Sequence, residues 1–150
     1  MARRISPWVL DTSILVSFIR SGRYRVPLLA GFSRRTTFVP GIVLCELYAG
    51  AMTREDRGDI EALRRALGPQ VLGFTALQWA TAGRCLAFYA ARWGRIRPRD
   101  HVADVVIAVT ALEVGGVLVS ENVEHMRRWS LILNRVIGGM KLQVRALRES

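Results

Sequence analysis

Three acidic residues stand alone in stretches of the chain that are otherwise apolar. Asp11 directly follows the apolar run at residues 8–10, Glu46 is the only charged residue in positions 42–51, and Asp104 opens a third apolar segment. A buried carboxylate is costly unless its charge is paired, and carboxylates that pack together repel one another. A divalent cation relieves both problems. Oxygen ligands without a His/Cys cluster in the sequence favour Mg²⁺ or Mn²⁺ over zinc, so we predict a Mg²⁺ or Mn²⁺ site.

Each of these residues also has a purely structural interpretation. Asp11 could cap the helix that follows it, and Asp104 could complement the dipole of its own helix. Glu46 could face solvent, although no other charge marks a polar face around it. His101 stands three residues before Asp104 and could face it, but such a histidine more often caps or pairs locally. We interpret His125 as structural.

The predicted secondary structure would carry the three carboxylates to one edge of a sheet. Short apolar runs predict strands at residues 8–10, 36–39, 71–74 and 117–119, and a last edge strand at 131–133 or 136–137. Apolar spacing and capping residues predict helices at 14–19, 41–52, 54–67, 76–93, 100–114 and 121–129, with a basic loop and room for a short helix at 20–35. This alternation predicts an α/β sandwich with a mainly parallel sheet of four to five strands, which binds ligands beyond the carboxyl ends of its strands.

The charge balance indicates a polyanionic partner. The chain has 22 basic and 12 acidic residues, a net charge of +10, and every basic residue except Lys141 is an arginine. The guanidinium group matches phosphate oxygens well, so this excess favours nucleic acid. Arg95, Arg97 and Arg99 alternate just before the helix that carries Asp104, and we expect them to contact a nucleic-acid backbone. The alternative is a solvated loop.

The composition also bounds the class of protein. The chain has 150 residues, enough for one domain over 1–150, and no linker or repeat divides it. Its two cysteines, Cys45 and Cys85, are expected to be buried free thiols in a reducing compartment. Residues 1–19 resemble an export signal, with a basic start at Arg3 and Arg4 followed by an apolar run. However, Asp11 interrupts this run and no small-residue cleavage site follows it. We expect a cytoplasmic protein without a membrane span.

Four segments occur in order along the chain: VLDTS at 9–13, VLCEL at 43–47 followed by Gly50, DVVIAVTA at 104–111, and LVSENVEHM at 118–126. Together they resemble the motifs of PIN domains, in particular the VapC toxins of bacterial toxin–antitoxin pairs. Each motif alone is weak, whereas the ordered set spans nearly the whole chain. The resemblance implies a Rossmann-like three-layer α/β sandwich, a single PIN domain, and Mg²⁺- or Mn²⁺-dependent endoribonuclease activity.

The resemblance also implies roles for individual residues. Asp11 and Asp104 would be the principal metal ligands, Glu46 would complete the acidic cluster directly or through water, and Asn122 would take the fourth position. That position is Asp in many members, and this chain also has Ser120 in place of Thr and Met126 in place of Phe. A neutral Asn binds metal less strongly, which weakens a second metal site. Glu121 is an alternative to Asn122, but its side chain would point elsewhere if residues 119–121 are extended.

Further implications concern partners and rival functions. The resemblance implies an antitoxin that blocks the pocket, a homodimer, and hydrolysis in which Glu46 or Asp11 orients the attacking water.

A phosphatase of the haloacid-dehalogenase type also begins with a strand that ends in Asp, but it needs a second Asp where this chain has Ser13. The other alternative is a catalytically weak or inactive PIN domain that binds RNA or protein, and Asn122 leaves this open.

Overall fold

The computed structural model describes residues 5–95, 97–139 and 141–149. Within them lies a sheet of five parallel strands in the order β3-β2-β1-β4-β5. The strands are β1 (Trp8–Leu10), β2 (Thr37–Pro40), β3 (Val71–Leu72), β4 (Val117–Val119) and β5 (Gln143–Arg145). The predicted α/β architecture with a parallel sheet is therefore confirmed.

In the described ranges, seven α-helices connect and cover these strands. They are α1 (Thr12–Ser21), α2 (Arg25–Ser33), α3 (Gly41–Ala49), α4 (Arg54–Leu67), α5 (Ala76–Trp93), α6 (Pro98–Glu113) and α7 (Val123–Ile137), with one 3₁₀ turn at Gly68–Gln70. Helices α1, α3 and α4 pack on one another, while α5, α6 and α7 form a second group. Helix α6 joins the layers, because it contacts α3 as well as β1, β2 and β4.

The central strands are buried, as their uninterrupted apolar sequence predicts. Val9, Leu10, Leu118 and Val119 are fully buried, and β1 pairs with β4 in the register Leu10 opposite Val119. Parallel pairing carries the residues that follow these strands to the same edge of the sheet. Strand β2 lies on the other side of β1, so the start of α3 reaches that edge as well.

The last part of the chain departs from the prediction. Residues 131–133 and 136–137 belong to α7 and form no strand, and the edge strand is β5. The buried residues Met126, Trp129, Ser130 and Leu133 follow the helical spacing i, i+3, i+4, i+7. A short apolar run within a helix resembles a buried strand when its neighbours are ignored.

Smaller differences concern boundaries and the two thiols. Residues 25–33 form a nine-residue helix within the predicted basic loop, and β3 ends at Leu72. Cys85 is buried and free as expected, but Cys45 is free and exposed, because it lies on the outer side of α3.

No helix in the described ranges combines the length and the apolar character that a bilayer crossing needs. Arg3 and Arg4 lie outside the described residues.

Candidate active site

Asp11 is a buried carboxylate held by three donors at the end of β1. It caps α1 through the Thr12 amide, which donates to Oδ1 at 2.7 Å. Its other oxygen, Oδ2, accepts from the hydroxyls of Ser13 at 2.9 Å and Ser120 at 2.5 Å. Only 6% of the residue is exposed. The helix cap that the sequence allowed is therefore present, and additional donors fix the carboxylate across two strands.

Glu46 is connected to Asp11 through a single threonine. The Thr12 hydroxyl donates a hydrogen bond to Oε2 of Glu46, while the Thr12 amide donates to Asp11. Glu46 is exposed on α3, the helix that follows β2. Two of the predicted acidic residues, 35 positions apart in the sequence, are thus joined at the carboxyl edge of the sheet.

Ser120 brings Asn122 to the same edge. Its hydroxyl donates to Asp11 and accepts from the backbone amide of Asn122 at 2.9 Å. Asn122 is exposed at the first position before α7, and its side chain makes no capping hydrogen bond there. The side-chain carboxamide of Asn122 thus remains available at the carboxyl edge of the sheet, beside Asp11; this edge is called the rim below.

The side chain of Glu121 is directed away from Asp11, Glu46 and Asn122. Its Oε1 accepts hydrogen bonds from the Ser17 hydroxyl at 2.7 Å, the Tyr24 hydroxyl at 2.9 Å and an Arg23 guanidinium nitrogen at 3.0 Å. The Glu121 hydrogen bond and burial raise the pKa of Tyr24, with burial as the larger cause. Glu121 therefore links α1 and α2 to the end of β4 and does not stand in for the acidic residue that Asn122 replaces.

Asp104 lies in a different immediate environment from the other two acids. Its Oδ2 is 2.7 Å from Nε2 of His125, and one ligand atom each of His101, Asp104 and His125 lie within 4.8 Å of one another. In the described part of the chain, Asp11, Glu46 and Asp104 do not form a group that meets this distance. His125 follows Asn122 by three residues, which places Asp104 beside the helix that starts at the rim.

Sequence reasoning missed the grouping of the two histidines. We interpreted His125 as structural and assigned no His/Cys cluster, because 24 positions separate His101 from His125 and no metal-binding spacing joins them. The available signal was the three-residue spacing from His101 to Asp104, which puts both on neighbouring faces of one helix. Nothing in the sequence indicated that α7 would bring His125 to the same carboxylate.

The predicted RNA-binding arginines are exposed around the start of α6. Arg95, Arg97 and Arg99 are all exposed, and Arg99 is 3.9 Å from the carboxylate of its neighbour Asp100. Such a surface pair contributes little and leaves the guanidinium group accessible. The three cations precede Asp104 on its own helix and the segment leading to it.

The oxygens at the rim fit a hard divalent cation. Glu46 and Asp104 each use one carboxylate oxygen in the hydrogen bonds described, and within the described ranges their second oxygens, Oε1 and Oδ1, accept none. Asp11 has one hydrogen bond on Oδ1, whose second lone pair is free of side-chain donors. Carboxylate oxygens of this kind are the ligands that Mg²⁺ and Mn²⁺ favour.

Comparisons with known proteins agree with this geometry. Residues 8–128 match the family described as the PIN domain. No curated protein sequence matches the chain. Among solved structures, VapBC2 from Rickettsia felis bound to a promoter DNA fragment has a TM-score of 0.66 at 18% identity, over 94% of this chain and 98% of that chain.

Two further structures give the same result. DNA-bound VapBC from Salmonella typhimurium has a TM-score of 0.63 at 16% identity, over 95% of this chain and 98% of that one. VapBC-1 from nontypeable Haemophilus influenzae has a TM-score of 0.60 at 20% identity, over 93% and 96%. At these identities the similarity concerns the fold.

Proposed function

The chain belongs to the PIN-domain family, and from this membership we propose that it is a metal-dependent endoribonuclease that acts as the toxin of a toxin–antitoxin pair. Its reaction would be the hydrolysis of RNA phosphodiester bonds at a Mg²⁺ or Mn²⁺ site. Asp11 and Asp104 would be the principal ligands, Glu46 would complete the acidic cluster, and Asn122 would take the fourth position.

The observation that carries this proposal is the contact of one threonine with two carboxylates. Thr12 donates to Asp11 through its amide and to Glu46 through its hydroxyl, so residues that follow β1 and β2 share one edge. Ser120 adds the residues that follow β4. Acidic side chains from separate strands that meet beyond the carboxyl ends of a parallel sheet form the kind of site that binds a cation and a phosphate.

The role that we assign to each acidic residue in hydrolysis follows from its burial and its hydrogen bonds. A bound divalent cation would supply a nucleophilic water and neutralise the charge that develops on the phosphate. Asp11 is buried and held by three donors, which suits a ligand of fixed position. Glu46 is exposed and has a free Oε1, so we assign to it the task of orienting the attacking water and accepting its proton.

The exposed arginines would hold the RNA backbone. Arg95, Arg97 and Arg99 lie before and at the start of α6, next in sequence to the segment that carries Asp104. Phosphate contacts of this kind increase affinity for any sequence, and the affinity falls with salt concentration. Substitution of the three arginines by glutamine should weaken RNA binding and lower its salt dependence.

The biological role as a toxin is supported by the fold. The three similar structures described above are VapBC complexes, two of them bound to DNA. By this similarity we propose a cognate antitoxin as partner, a homodimer of the chain, and action in the cytoplasm. Co-expression with the cognate antitoxin should relieve growth arrest caused by the chain alone, and the Asp11→Asn variant should cause no growth arrest.

Cleavage of unstructured RNA by the purified chain tests the nuclease proposal. We expect cleavage with Mg²⁺ or Mn²⁺ and none with a chelator. Asp11→Asn and Asp104→Asn should reduce the rate by more than about 100-fold, because even outer-shell partners of a metal are worth roughly 10–100-fold. Glu113→Gln, an exposed change on the same helix as Asp104, serves as the matched control. Equal cleavage by wild type and both Asp variants would reject the site.

The second candidate is a catalytically weak PIN domain that binds RNA or protein. It is favoured by the neutral Asn122 at a position that carries Asp in many relatives. This alternative predicts salt-dependent RNA binding without metal-dependent cleavage. Asn122→Asp should then create or raise cleavage activity, which would separate a weakened enzyme from a binding module.

A further inference from the structure

Both histidines of the chain lie beside one carboxylate. The chain has two histidines in 150 residues, His101 on α6 and His125 on α7. One ligand atom from each, with a carboxylate oxygen of Asp104, falls within a group whose members are all within 4.8 Å. The imidazoles lie on two different helices and 24 sequence positions apart, so their meeting is a product of the fold.

The three side chains are held in place by their neighbours. His125 Nε2 is 2.7 Å from Asp104 Oδ2. The His101 ring packs 5.3 Å from the ring of Tyr89 and 5.7 Å from that of Trp129, the latter fully buried in the core. Rings packed in this way have few rotamers available, which preorganises a ligand.

One imidazole nitrogen of His101 has no hydrogen-bond partner among the described residues. Nδ1 of His101 is buried and makes no hydrogen bond to any described residue. Buried polar atoms in folded proteins nearly always have partners, and a bound ligand is one explanation of an exception. Asp104 and His125 remain partly open, with side chains 27% and 40% exposed, so an ion in solution can reach them.

From these observations we propose that His101, Asp104 and His125 form a two-imidazole, one-carboxylate binding site for Zn²⁺. Imidazole nitrogen is a ligand of borderline metals such as zinc and is a poor ligand for Mg²⁺. Two histidines with one carboxylate are the protein ligands of known catalytic zinc sites, in which water or substrate takes the remaining position.

This proposal adds a zinc preference at Asp104 to the Mg²⁺ or Mn²⁺ preference that the sequence predicts for the carboxylates. Asp11 and Glu46 offer oxygen alone, whereas Asp104 can present Oδ2 to the imidazoles and Oδ1 to another ion. The zinc site shares Asp104 with the proposed nuclease site, but zinc binding itself does not require nuclease activity. The two proposals can therefore fail separately.

Metal binding should be measured on the chain without a histidine tag, since a tag would mask the two native imidazoles. With Mg²⁺ in excess to fill oxygen sites, Co²⁺ should bind at about one ion per chain and give the visible bands of four- or five-coordinate cobalt, which Zn²⁺ then removes. The Zn²⁺ X-ray absorption fine structure of the wild-type chain should contain two imidazole ligands. This fine structure is measured on the wild-type chain alone, so the result does not depend on the folding of a variant.

Variants connect the signal to the residues. His101→Gln and His125→Gln should abolish the cobalt bands and weaken Zn²⁺ binding by at least roughly tenfold. Glu124→Gln, next to His125 and exposed, is the matched control and should keep the bands. Asp11→Asn should lose RNA cleavage yet keep the bands, which distinguishes failure of this proposal from failure of the nuclease proposal.

Any of three results would overturn the zinc site. The first is a wild-type fine structure with oxygen ligands alone, and the second is no Zn²⁺ binding when Mg²⁺ is in excess. The third is a cobalt spectrum that both histidine variants leave unchanged. If His125 only orients Asp104 for Mg²⁺, its substitution should alter Mg²⁺ affinity while no nitrogen ligand is seen in the wild type, and the proposal would be rejected.

Discussion

The hydroxyl of Ser120 lies 2.5 Å from Oδ2 of Asp11, although 109 positions separate the two residues in the chain. The contact arises because β1 and β4 are parallel neighbours in register, with Leu10 opposite Val119, so the next residue of each strand emerges at the same height. Ser120 also accepts from the Asn122 amide. One buried hydroxyl therefore fixes a proposed metal ligand relative to the loop that leads into α7.

Removal of the Ser120 hydroxyl should lower both stability and activity. Ser120→Ala leaves the buried Oδ2 of Asp11 with one donor fewer and the Asn122 amide without its acceptor, so we expect a loss of about 1–3 kcal/mol in the free energy of unfolding. Chemical denaturation measures this change. Ser120→Thr keeps the hydroxyl and should retain more stability and cleavage than Ser120→Ala. Equal stability of wild type and Ser120→Ala would contradict this role.

Thr12 should act as a positioning residue for Glu46. Thr12→Val keeps the shape of the side chain and the hydrogen bond from the backbone amide of residue 12 to the Asp11 carboxylate. It removes the hydroxyl that donates to Glu46. We expect kcat for RNA cleavage to fall roughly 10- to 100-fold, as for outer-shell partners of metal ligands, with little change in KM. Thr12→Ser should restore kcat. A change in KM alone would assign Thr12 to RNA binding instead.

Acid should destabilise the packing of α4 on α3. Hydrogen bonds from Arg64 and then from Tyr48 lower the pKa of Glu61 from 4.5 to about 2. Because the folded pKa is depressed, the stabilisation is complete above pH 4.5 and disappears as the pH falls toward 2. Melting temperatures from pH 6 to 2 (roughly the range of this titration) should therefore fall more steeply for wild type than for Glu61→Gln.

The control for this titration is Asp59→Asn, an exposed change on the same helix. Its melting curve should keep the acid dependence of the wild type. Parallel curves for wild type and Glu61→Gln would contradict the assignment of this dependence to Glu61.

The two thiols should differ strongly in reactivity. Burial raises the pKa of the Cys85 thiol to about 11, so little thiolate forms near neutral pH, whereas Cys45 is exposed. A thiol reagent at pH 7.5 (an ordinary assay pH for the roughly 8.5 pKa of free cysteine) should label Cys45 in the folded chain and Cys85 only after denaturation. Cys45→Ser should abolish rapid labelling of the folded chain. Rapid labelling that survives this change would be inconsistent with the burial of Cys85.

The fold could be predicted where local pattern and tertiary environment agree. The run at 8–10 and the run at 117–119 are fully apolar because both faces of the central strands are covered. The edge strand β5 could not be found in this way, since Gln143 and Arg145 are exposed and only Val144 faces inward. The apolar residues of α7 were more conspicuous, and for that reason they were mistaken for the strand.

The candidate site could be predicted only as separate residues. Isolated carboxylates after apolar runs indicated Asp11 and Glu46, and the topology places both at one edge. The hydrogen bonds by which Thr12 joins Asp11 to Glu46, and Ser120 joins Asp11 to Asn122, depend on strand register, which a sequence does not state. The meeting of His101 with His125 depends on how α6 packs against α7, and no local spacing encodes that contact.

The central claim is that Asp11, Glu46 and Asp104 share a divalent cation, and anomalous diffraction from crystals soaked in Mn²⁺ tests it most directly. The account predicts an anomalous peak in contact with carboxylate oxygens of Asp11 and Asp104, with Glu46 bound directly or through water, and no such peak in the Asp11→Asn variant. Manganese bound to Asp104 and the histidines alone, or nowhere near Asp11, would contradict it.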